Sequence, residues 1–262
     1  MPLPLDVTAL LDALLAGIHN TLGPDLVGVY LRGSLALGDF IPATSDIDVL
    51  AVTEWPVTAA EFTALAATHA DLAASPSPYA TRLEIAYIDR AALKHFAPGQ
   101  RHPTLGQGEA LAWSKHRDNW VFERWTVRES GVTLFGPAPH TLIDPIGPED
   151  LRLAARSRLR DWADWADQPD APDFLLPCSH KAYVVETMCR ALYTVACSKL
   201  ASKSRAVAWA AATLPEPWPS LVERSQMWRT DRTLDPATVP DVLRFVHWAL
   251  SDGATLLGGE SC

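Results

Sequence analysis

The sequence predicts an α+β protein with two domains, and three observations lead to this expectation. The chain has 262 residues, 48% of them hydrophobic and 20% charged, which suits a folded protein with a real core. Its first half alternates helical patterns with apolar runs of strand length. A Pro- and Gly-rich stretch at 131–150 follows, and beyond it the strand signals vanish. We therefore expect a sheet with flanking helices over residues 1–147 and a helical bundle over 148–262.

The elements of the first domain follow from hydrophobic periodicity. Residues 5–21 have a helical period that is broken by Gly23 and Pro24. Three apolar runs that contain β-branched residues have the length of strands: LVGVYL (26–31), DIDVLAVT (46–53) and LEIAYI (83–88). An Ala-rich helix at about 58–74 separates the second run from the third. The three runs can therefore share one sheet.

The second half of the chain has only helical patterns. They lie near 148–166, 179–200, 204–214, 216–229 and 238–257. Pro- and Asp-rich turns, such as the one at 167–174, separate them. The second domain is therefore predicted to be a bundle of four or five helices.

The charge balance bears on the kind of partner. Asp and Glu number 31 against 22 Lys and Arg, which gives a formal net charge of −9. Proteins that bind long nucleic acids usually present a basic face, so we expect no nucleic-acid partner. An acidic protein concentrates cations near its surface, and a cationic small molecule is the better candidate. The same charge can equally serve solubility alone.

Three sequence features that are missing, a signal peptide, a membrane span and paired cysteines, indicate the cellular compartment. The first residues have no basic region typical of a signal peptide, and no apolar run approaches the roughly 20 residues of a membrane span. The four cysteines form no C-x-x-C pair, so neither a disulfide framework nor a zinc site is expected. We expect a cytoplasmic chain with no membrane partner. A monomer is expected as well, although the residues do not fix the oligomeric state.

Two features after the first predicted strand suggest a site for metal and phosphate. Gly33 and Ser34 follow that strand directly, and a glycine there allows the backbone to approach phosphate oxygens. Asp46 and Asp48 are two residues apart on the next strand, so their side chains project from the same face. A pair of carboxylates suits Mg²⁺, which binds carboxylates together with substrate phosphates. Taken singly, a Gly-Ser turn and a solvated Asp-x-Asp are both common.

Glu84 adds a third acid. It lies inside the otherwise apolar run 83–88, where a carboxylate is costly to bury unless it is paired or bound to metal. If the third strand lies beside the second, Glu84 can reach the face of the two aspartates and act as a general base. Alternatively, Glu84 pairs with Arg82 or Arg90 at the strand end.

These residues carry a resemblance to a known family. The pattern GS(x)11DID resembles the signature of polymerase-β-like nucleotidyltransferases, and LRGSLALGDFIPATSDIDVLAVT (31–53) resembles the aminoglycoside adenylyltransferases that modify streptomycin and spectinomycin. The segment 181–215 resembles the helical domain of that family. The resemblance implies a nucleotidyltransferase domain with a mixed sheet and flanking helices, and a C-terminal helical domain that completes the ATP and acceptor sites. It also implies magnesium-dependent transfer of AMP from ATP to a hydroxyl of an aminoglycoside or aminocyclitol, with release of pyrophosphate.

The resemblance also implies roles for individual residues. In the first domain, Gly33, Ser34 and Ser45 would contact the triphosphate. Two magnesium ions would be held by Asp46 and Asp48, with Glu84 beside them both as a metal ligand and as the general base. In the second domain, Arg190 and Lys203 would reach the ATP phosphates, and Trp228 would lie near the nucleotide.

Three departures from the family leave the acceptor open. The streptomycin enzymes have an acidic residue near the position of His180, and Glu186 stands where the family usually has an apolar residue. The segment 161–173, rich in Trp and Asp, could bind the amino groups and sugar face of an acceptor or could be a solvated turn. A nucleotidyltransferase acting on another small molecule or on a protein hydroxyl, and an inactive nucleotide-binding protein, remain the alternatives.

Overall fold

The structure is a computed structural model that describes residues 3–168 and 177–256. Its contacts divide the chain into two compact units, Met1–Pro145 and Ile146–Cys262. The first unit contains a sheet with helices and the second is helical, which confirms the predicted α+β class. The limits predicted from the sequence, 1–147 and 148–262, stay a prediction as limits of independently folding domains.

The first unit contains a mixed sheet. Its strands are β1 (Leu26–Leu31), β2 (Ile47–Thr53), β3 (Leu83–Asp89), β4 (Arg101–Leu105), β5 (Ala112–Lys115) and β6 (Val132–Phe135). Their order in the sheet is β5-β4-β3-β2-β1-β6. The β2–β3 pair is parallel and the other pairs are antiparallel. The helices of this unit are α1 (Leu5–Leu22), α2 (Gly33–Leu37), α3 (Ala59–Ala73), α4 (Arg90–Lys94) and α5 (Trp120–Ser130).

Helices α1 and α3 pack on one face of the sheet and form the main core. Apolar residues of both helices cluster with the odd-numbered residues of β2 and β3, including Val49 and Ile85. His69 of α3 shares a hydrogen bond of 2.8 Å with the hydroxyl of Tyr87 on β3. Because successive side chains of a strand point to opposite faces, the even-numbered Asp48 and Glu84 project from the other face. The carboxylates of Asp48 and Glu84 therefore lie on the face of the sheet opposite α1 and α3.

The three predicted strands are the central ones, and the sequence missed the strands at the edges. Strand β6 lies inside the stretch 131–150, where the sequence analysis placed the domain boundary and identified no strand. Its side chains are largely exposed, and its run of four residues, VTLF, is too short to stand out between Gly131 and Gly136. Strands β4 and β5 are short, and Pro103 interrupts β4. These strands form because each pairs with a neighbour, β6 with β1, β4 with β3 and β5 with β4, a cause that lies outside their own sequence.

The second unit is the predicted helical domain. Its helices are α6 (Pro148–Ala166), α7 (Cys178–Cys197), α8 (Lys203–Thr213), α9 (Trp218–Trp228), α10 (Val239–Trp248) and α11 (Ala254–Leu256), with a π-helical turn at Ala249–Gly253 between the last two. Helix α7 is buried along most of its length, because α6, α8, α9 and α10 all pack against it. No helix in the described part of the chain is both long and apolar enough to cross a bilayer.

The cysteines require one correction. Cys178 and Cys189 on α7 are buried free thiols, as the absence of paired cysteine motifs predicted. Cys197, at the end of the same helix, is disulfide-bonded, a single bond that the sequence analysis did not predict. The spacing of cysteines along the chain does not report which of them meet in the fold.

Candidate active site

The parallel pairing of β2 and β3 sets two carboxylates side by side. Asp48 is the register partner of Glu84, and both project from the face that α1 and α3 leave uncovered. Their side chains are 18% and 32% exposed, so they are accessible from solvent but largely buried. Burial raises the pKa of Glu84 to about 7, and the negative charges of Asp48 and Asp46 add to this rise. The structure thus brings together the three acids that the sequence singled out.

Arg32 lies among these carboxylates, and sequence reasoning missed it. Its guanidinium is 3.2 Å from Asp48 Oδ1, 3.9 Å from Glu84 Oε2 and 2.6 Å from Glu123 Oε2. Burial alone would lower the pKa of Arg32, but the carboxylates of Glu123, Asp48 and Glu84 raise it above its ordinary value. The guanidinium therefore stays charged and offsets part of the repulsion between the acids.

Glu123 is the fourth carboxylate of the cluster. It comes from α5, and its side chain is 30% exposed. The sequence did not indicate it, because α5 was not predicted as a separate element and nothing local ties position 123 to β2 or β3. Arg32, by contrast, had a signal: it is the charged residue between a buried strand and Gly33, where a partner is required.

Arg32 is held in place by its neighbours. Its backbone N–H donates to Asp48 O at 2.9 Å, which locks the end of β1 to the start of β2. Its guanidinium lies over the ring of Trp120, 5.6 Å from the centroid. The Trp120 ring stacks on His116 with centroids 3.5 Å apart, and His116 Nε2 shares a hydrogen bond of 2.9 Å with Thr104 Oγ1. A layered support thus lies behind the charged cluster.

Gly33 is required where the chain leaves β1. Its φ is +60°, and a Cβ built at this position would overlap Asp48 Oδ2. Only glycine therefore allows this close approach of the turn to the carboxylate. Ser34 is the next residue and lies in the first turn of the short helix α2, where the sequence analysis expected a turn.

Ser45 lies in the loop before β2, and Arg82 holds that loop. The Ser45 hydroxyl accepts a hydrogen bond of 2.9 Å from Ile41 N–H, while the Arg82 guanidinium donates to the carbonyls of Ser45 and Pro42. Arg90 pairs with Glu54 at 3.0 Å. Arg82 and Arg90, the two alternative partners suggested for Glu84, therefore make their contacts elsewhere. The cation near Glu84 is Arg32.

The carboxylates have the chemistry of magnesium ligands but do not form a complete metal site. Oxygen donors at Asp46 and Asp48 suit this ion. Within residues 3–168 and 177–256, no three acidic, His or Cys side chains are arranged to hold a metal by themselves. Magnesium commonly takes one or two carboxylates and completes its coordination with water and substrate phosphates. The cluster fits that mode of binding, and the roles of Asp46, Asp48 and Glu84 as ligands stay predictions.

The other predicted nucleotide contacts lie in the second unit. Arg190 on α7 donates to Ala201 O at 3.3 Å, and the Lys203 Nζ at the start of α8 is 5.3 Å from the centre of the Tyr183 ring. Trp228 ends α9 and is half-buried. Their roles in binding ATP, which the family resemblance implies, stay predictions.

The departures from the family have partly structural explanations. Glu186 is buried, and its carboxylate pairs with Arg229 at 2.6 Å, which accounts for an acid at a position expected to be apolar. The predicted loop 161–173 was wrong in its first part, because residues up to Ala166 belong to α6. Trp162 is buried there against Trp165 and Tyr183. Asp170 and Asp173 lie outside the described residues.

Comparisons with known proteins agree with this geometry. The model of the nucleotidyltransferase domain matches residues 15–94, and the model of the aminoglycoside adenylyltransferase C-terminal domain matches 141–251. Aminoglycoside (3'') (9) adenylyltransferases from Shigella flexneri and Escherichia coli are 26% and 27% identical, each over 97% of both chains. The fold matches the crystal structure of spectinomycin adenyltransferase AAD(9) from Enterococcus faecialis with ATP and spectinomycin, with a TM-score of 0.74 and 15% identity over 95% of this chain and 99% of that one.

A mixed sheet with acids at the start of neighbouring strands, next to a glycine-serine turn, defines a nucleotidyltransferase. The second half of the chain narrows this class, because its helical domain is the one found in aminoglycoside adenylyltransferases. The chain is similar to that family over nearly its full length, and it is an adenylyltransferase, an enzyme that transfers AMP.

Proposed function

We propose that this enzyme transfers AMP from ATP to a hydroxyl of an aminoglycoside or aminocyclitol of the streptomycin or spectinomycin type, in a magnesium-dependent reaction that releases pyrophosphate. The observation that supports it most directly is the pairing of Asp48 with Glu84 in one register, with Asp46 acting on the same group. The relatives over the full length of the chain are named for the same substrate class. The net charge of −9 favours a cationic acceptor.

In this proposal, different residues of the first unit bind the triphosphate, hold the metal and accept the proton. The Gly33-Ser34 turn, with Ser45, receives the triphosphate. Asp46 and Asp48, with Glu84 beside them, would hold magnesium, which neutralises charge on the phosphate oxygens when bound. Glu84 removes the proton of the acceptor hydroxyl, and the oxygen attacks the α phosphorus while the bond to pyrophosphate breaks. In the metal-free protein burial raises the pKa of Glu84, which makes its carboxylate a stronger proton acceptor than an exposed glutamate.

The test is a reaction with defined acceptors. The purified chain is incubated with ATP, magnesium chloride and either streptomycin or spectinomycin, and both pyrophosphate and the mass of the antibiotic are measured. We expect pyrophosphate release that depends on the acceptor, with a product heavier by one adenylyl group. The Asp48→Asn variant is the inactive control. Binding of ATP without any adenylylated product from either antibiotic would contradict the proposal and favour another acceptor or a nucleotide-binding role.

A further inference from the structure

Arg32 suggests a function beyond packing. We propose that Arg32 is a built-in counter-ion that positions Asp48 and Glu84 and lowers the affinity of the free protein for divalent cations, so that metal binding depends on bound nucleotide. This inference rests on the proposed function, since it concerns the same carboxylates. Arg32 is a positioning residue, because it acts through the acids and not on the reacting atoms.

The geometry places the guanidinium where a metal ion would compete with it. Arg32 is within 4 Å of Asp48, Glu84 and Glu123 at once, at 3.2, 3.9 and 2.6 Å. A guanidinium is always charged in proteins and presents several N–H donors to carboxylates. A divalent cation that approaches Asp48 and Glu84 therefore meets a fixed positive charge on the same oxygens.

Arg32 cannot easily move away. Its side chain is 8% exposed, its backbone N–H is bonded to Asp48 O, and its guanidinium lies over Trp120. Trp120 is itself stacked on His116. An exposed surface arginine would swing aside when a metal arrives, whereas this one is enclosed on the protein side. Its repulsion of a cation is therefore a lasting property of the site.

The charge count explains why the repulsion does not forbid metal altogether. Asp48, Glu84 and Glu123 lie around one Arg32, and Asp46 acts electrostatically on Glu84, so the acids remain in excess. In the described part of the chain these acids do not form a group of three that could hold a metal alone. The phosphates of a nucleotide bring additional negative oxygens, which offset the guanidinium and complete the coordination. Nucleotide and metal should therefore bind together.

The experiment measures metal binding to the free protein. Mn²⁺ is titrated into the full chain without ATP or acceptor, and unbound Mn²⁺ is followed by electron paramagnetic resonance. We expect two neutral variants, Arg32→Gln and Arg32→Met, to bind Mn²⁺ at least about tenfold more tightly than the unchanged protein, because a positive charge has left the cluster. Arg32→Lys, which retains the charge, should stay within about threefold.

A purely structural role for Arg32 gives a different result. The neutral variants would then bind Mn²⁺ equally well or more weakly, because disordered carboxylates are poorer ligands, and this outcome overturns the proposal. The matched control is Arg90→Met, which removes the exposed Arg90–Glu54 pair of the same unit and should leave Mn²⁺ affinity unchanged. If Arg32→Met does not fold, as judged by circular dichroism, the comparison of Arg32→Gln with Arg32→Lys decides.

The two proposals fail separately. The titration contains neither ATP nor an antibiotic, so a negative result in the adenylylation assay leaves its outcome intact. Equally, unchanged Mn²⁺ affinity in the neutral variants would remove the role of Arg32 without touching the proposed reaction.

Discussion

At the scale of single residues, the candidate site depends on which atoms approach each other closely. Asp48 and Glu84 are neighbours because β2 and β3 are parallel and in register, and Arg32 lies against both. Burial raises the pKa of Glu84, repulsion from the neighbouring acids adds to the rise, and Arg32 opposes it. The reactivity of Glu84 is therefore a property of the group and not of the single side chain.

Replacing Glu84 by Gln should separate catalysis from binding. The amide cannot accept the hydroxyl proton, so kcat should fall on the order of 10²–10⁴-fold. Binding of ATP, measured by calorimetry, should change little, because the side chain keeps its size. Glu54→Gln is the control, since Glu54 pairs with Arg90 on the surface and should leave kcat unchanged. A near-normal kcat in Glu84→Gln would remove the assignment of Glu84 as the base.

Replacing Gly33 by Ala should displace a carboxylate. The new methyl group would overlap Asp48 Oδ2, and the positive φ disfavours any side chain. We expect turnover to fall at least about tenfold, because a misplaced reacting group alone can cost that much or more. Gly38→Ala tests the backbone contribution, since Gly38 has φ +72° and open space around its Cβ. Equal losses in the two variants would show that strain, and not the contact with Asp48, is responsible.

The residues of the site were unequally predictable. Asp48 and Glu84 were identifiable because their positions on apolar strands dictate the face they occupy, and Asp46, which directly precedes β2, was identifiable from its spacing to Asp48. Glu123 was not, because its position depends on how α5 packs. The hydroxyl of Ser45 accepts a hydrogen bond within its own loop, a structural role that the family motif does not reveal.

At the scale of elements, the helices and central strands are encoded locally and the edge strands are not. Strands β1, β2 and β3 are continuous apolar runs because they are buried on both faces for most of their length. Strands β5 and β6 are mostly exposed and have only four residues each, so their sequences carry little pattern. Periodicity therefore located the centre of the sheet and could not locate its edges.

The N-terminus of helix α3 has a capping motif, and its contribution to stability can be tested separately. Thr58 Oγ1 accepts from Glu61 N–H at 3.3 Å, and Glu61 Oε2 accepts from Thr58 N–H at 2.7 Å, which makes a capping box. Thr58→Ala should lower the free energy of unfolding by about 1 kcal/mol in urea denaturation. Thr63→Ala, at an exposed position inside the same helix, should not lower it, because alanine favours helix. An equal loss in both variants would contradict the role of the cap.

At the scale of the whole molecule, buried histidines make stability depend on pH. Burial lowers the pKa of His69 to about 4 and, together with His102 and Arg32, lowers the pKa of His116 to about 3. An unfolded histidine binds a proton near pH 6.5. As the pH falls below 6.5, these histidines therefore bind protons in the unfolded chain but not in the native one. The free energy of unfolding decreases as a result. Glu84 acts in the opposite direction, because its pKa is raised to about 7.

The contribution of His69 can be isolated by substitution. Between about pH 6.5 and pH 4, His69 should add at most about 1.4 kcal/mol per pH unit to the decrease in the free energy of unfolding. His69→Asn should therefore show a flatter profile than the unchanged protein in urea denaturation across this range. His140→Asn, at an exposed position, should have the unchanged profile. Parallel profiles for His69→Asn and the unchanged protein would contradict the shifted pKa.

The alternation of side-chain direction along β2 and β3 has a consequence for how the protein can evolve. Odd-numbered residues such as Val49 and Ile85 build the interior, while the even-numbered Asp48 and Glu84 are the residues that we propose for the chemistry. A mutation that removes one of these acids leaves the apolar contacts of the odd-numbered residues in place and relieves repulsion between like charges, while Glu123 and the remaining acid still pair with Arg32. A descendant that has lost its reaction can thus persist as a well-folded protein, and its hydrophobic pattern would give no sign of the loss.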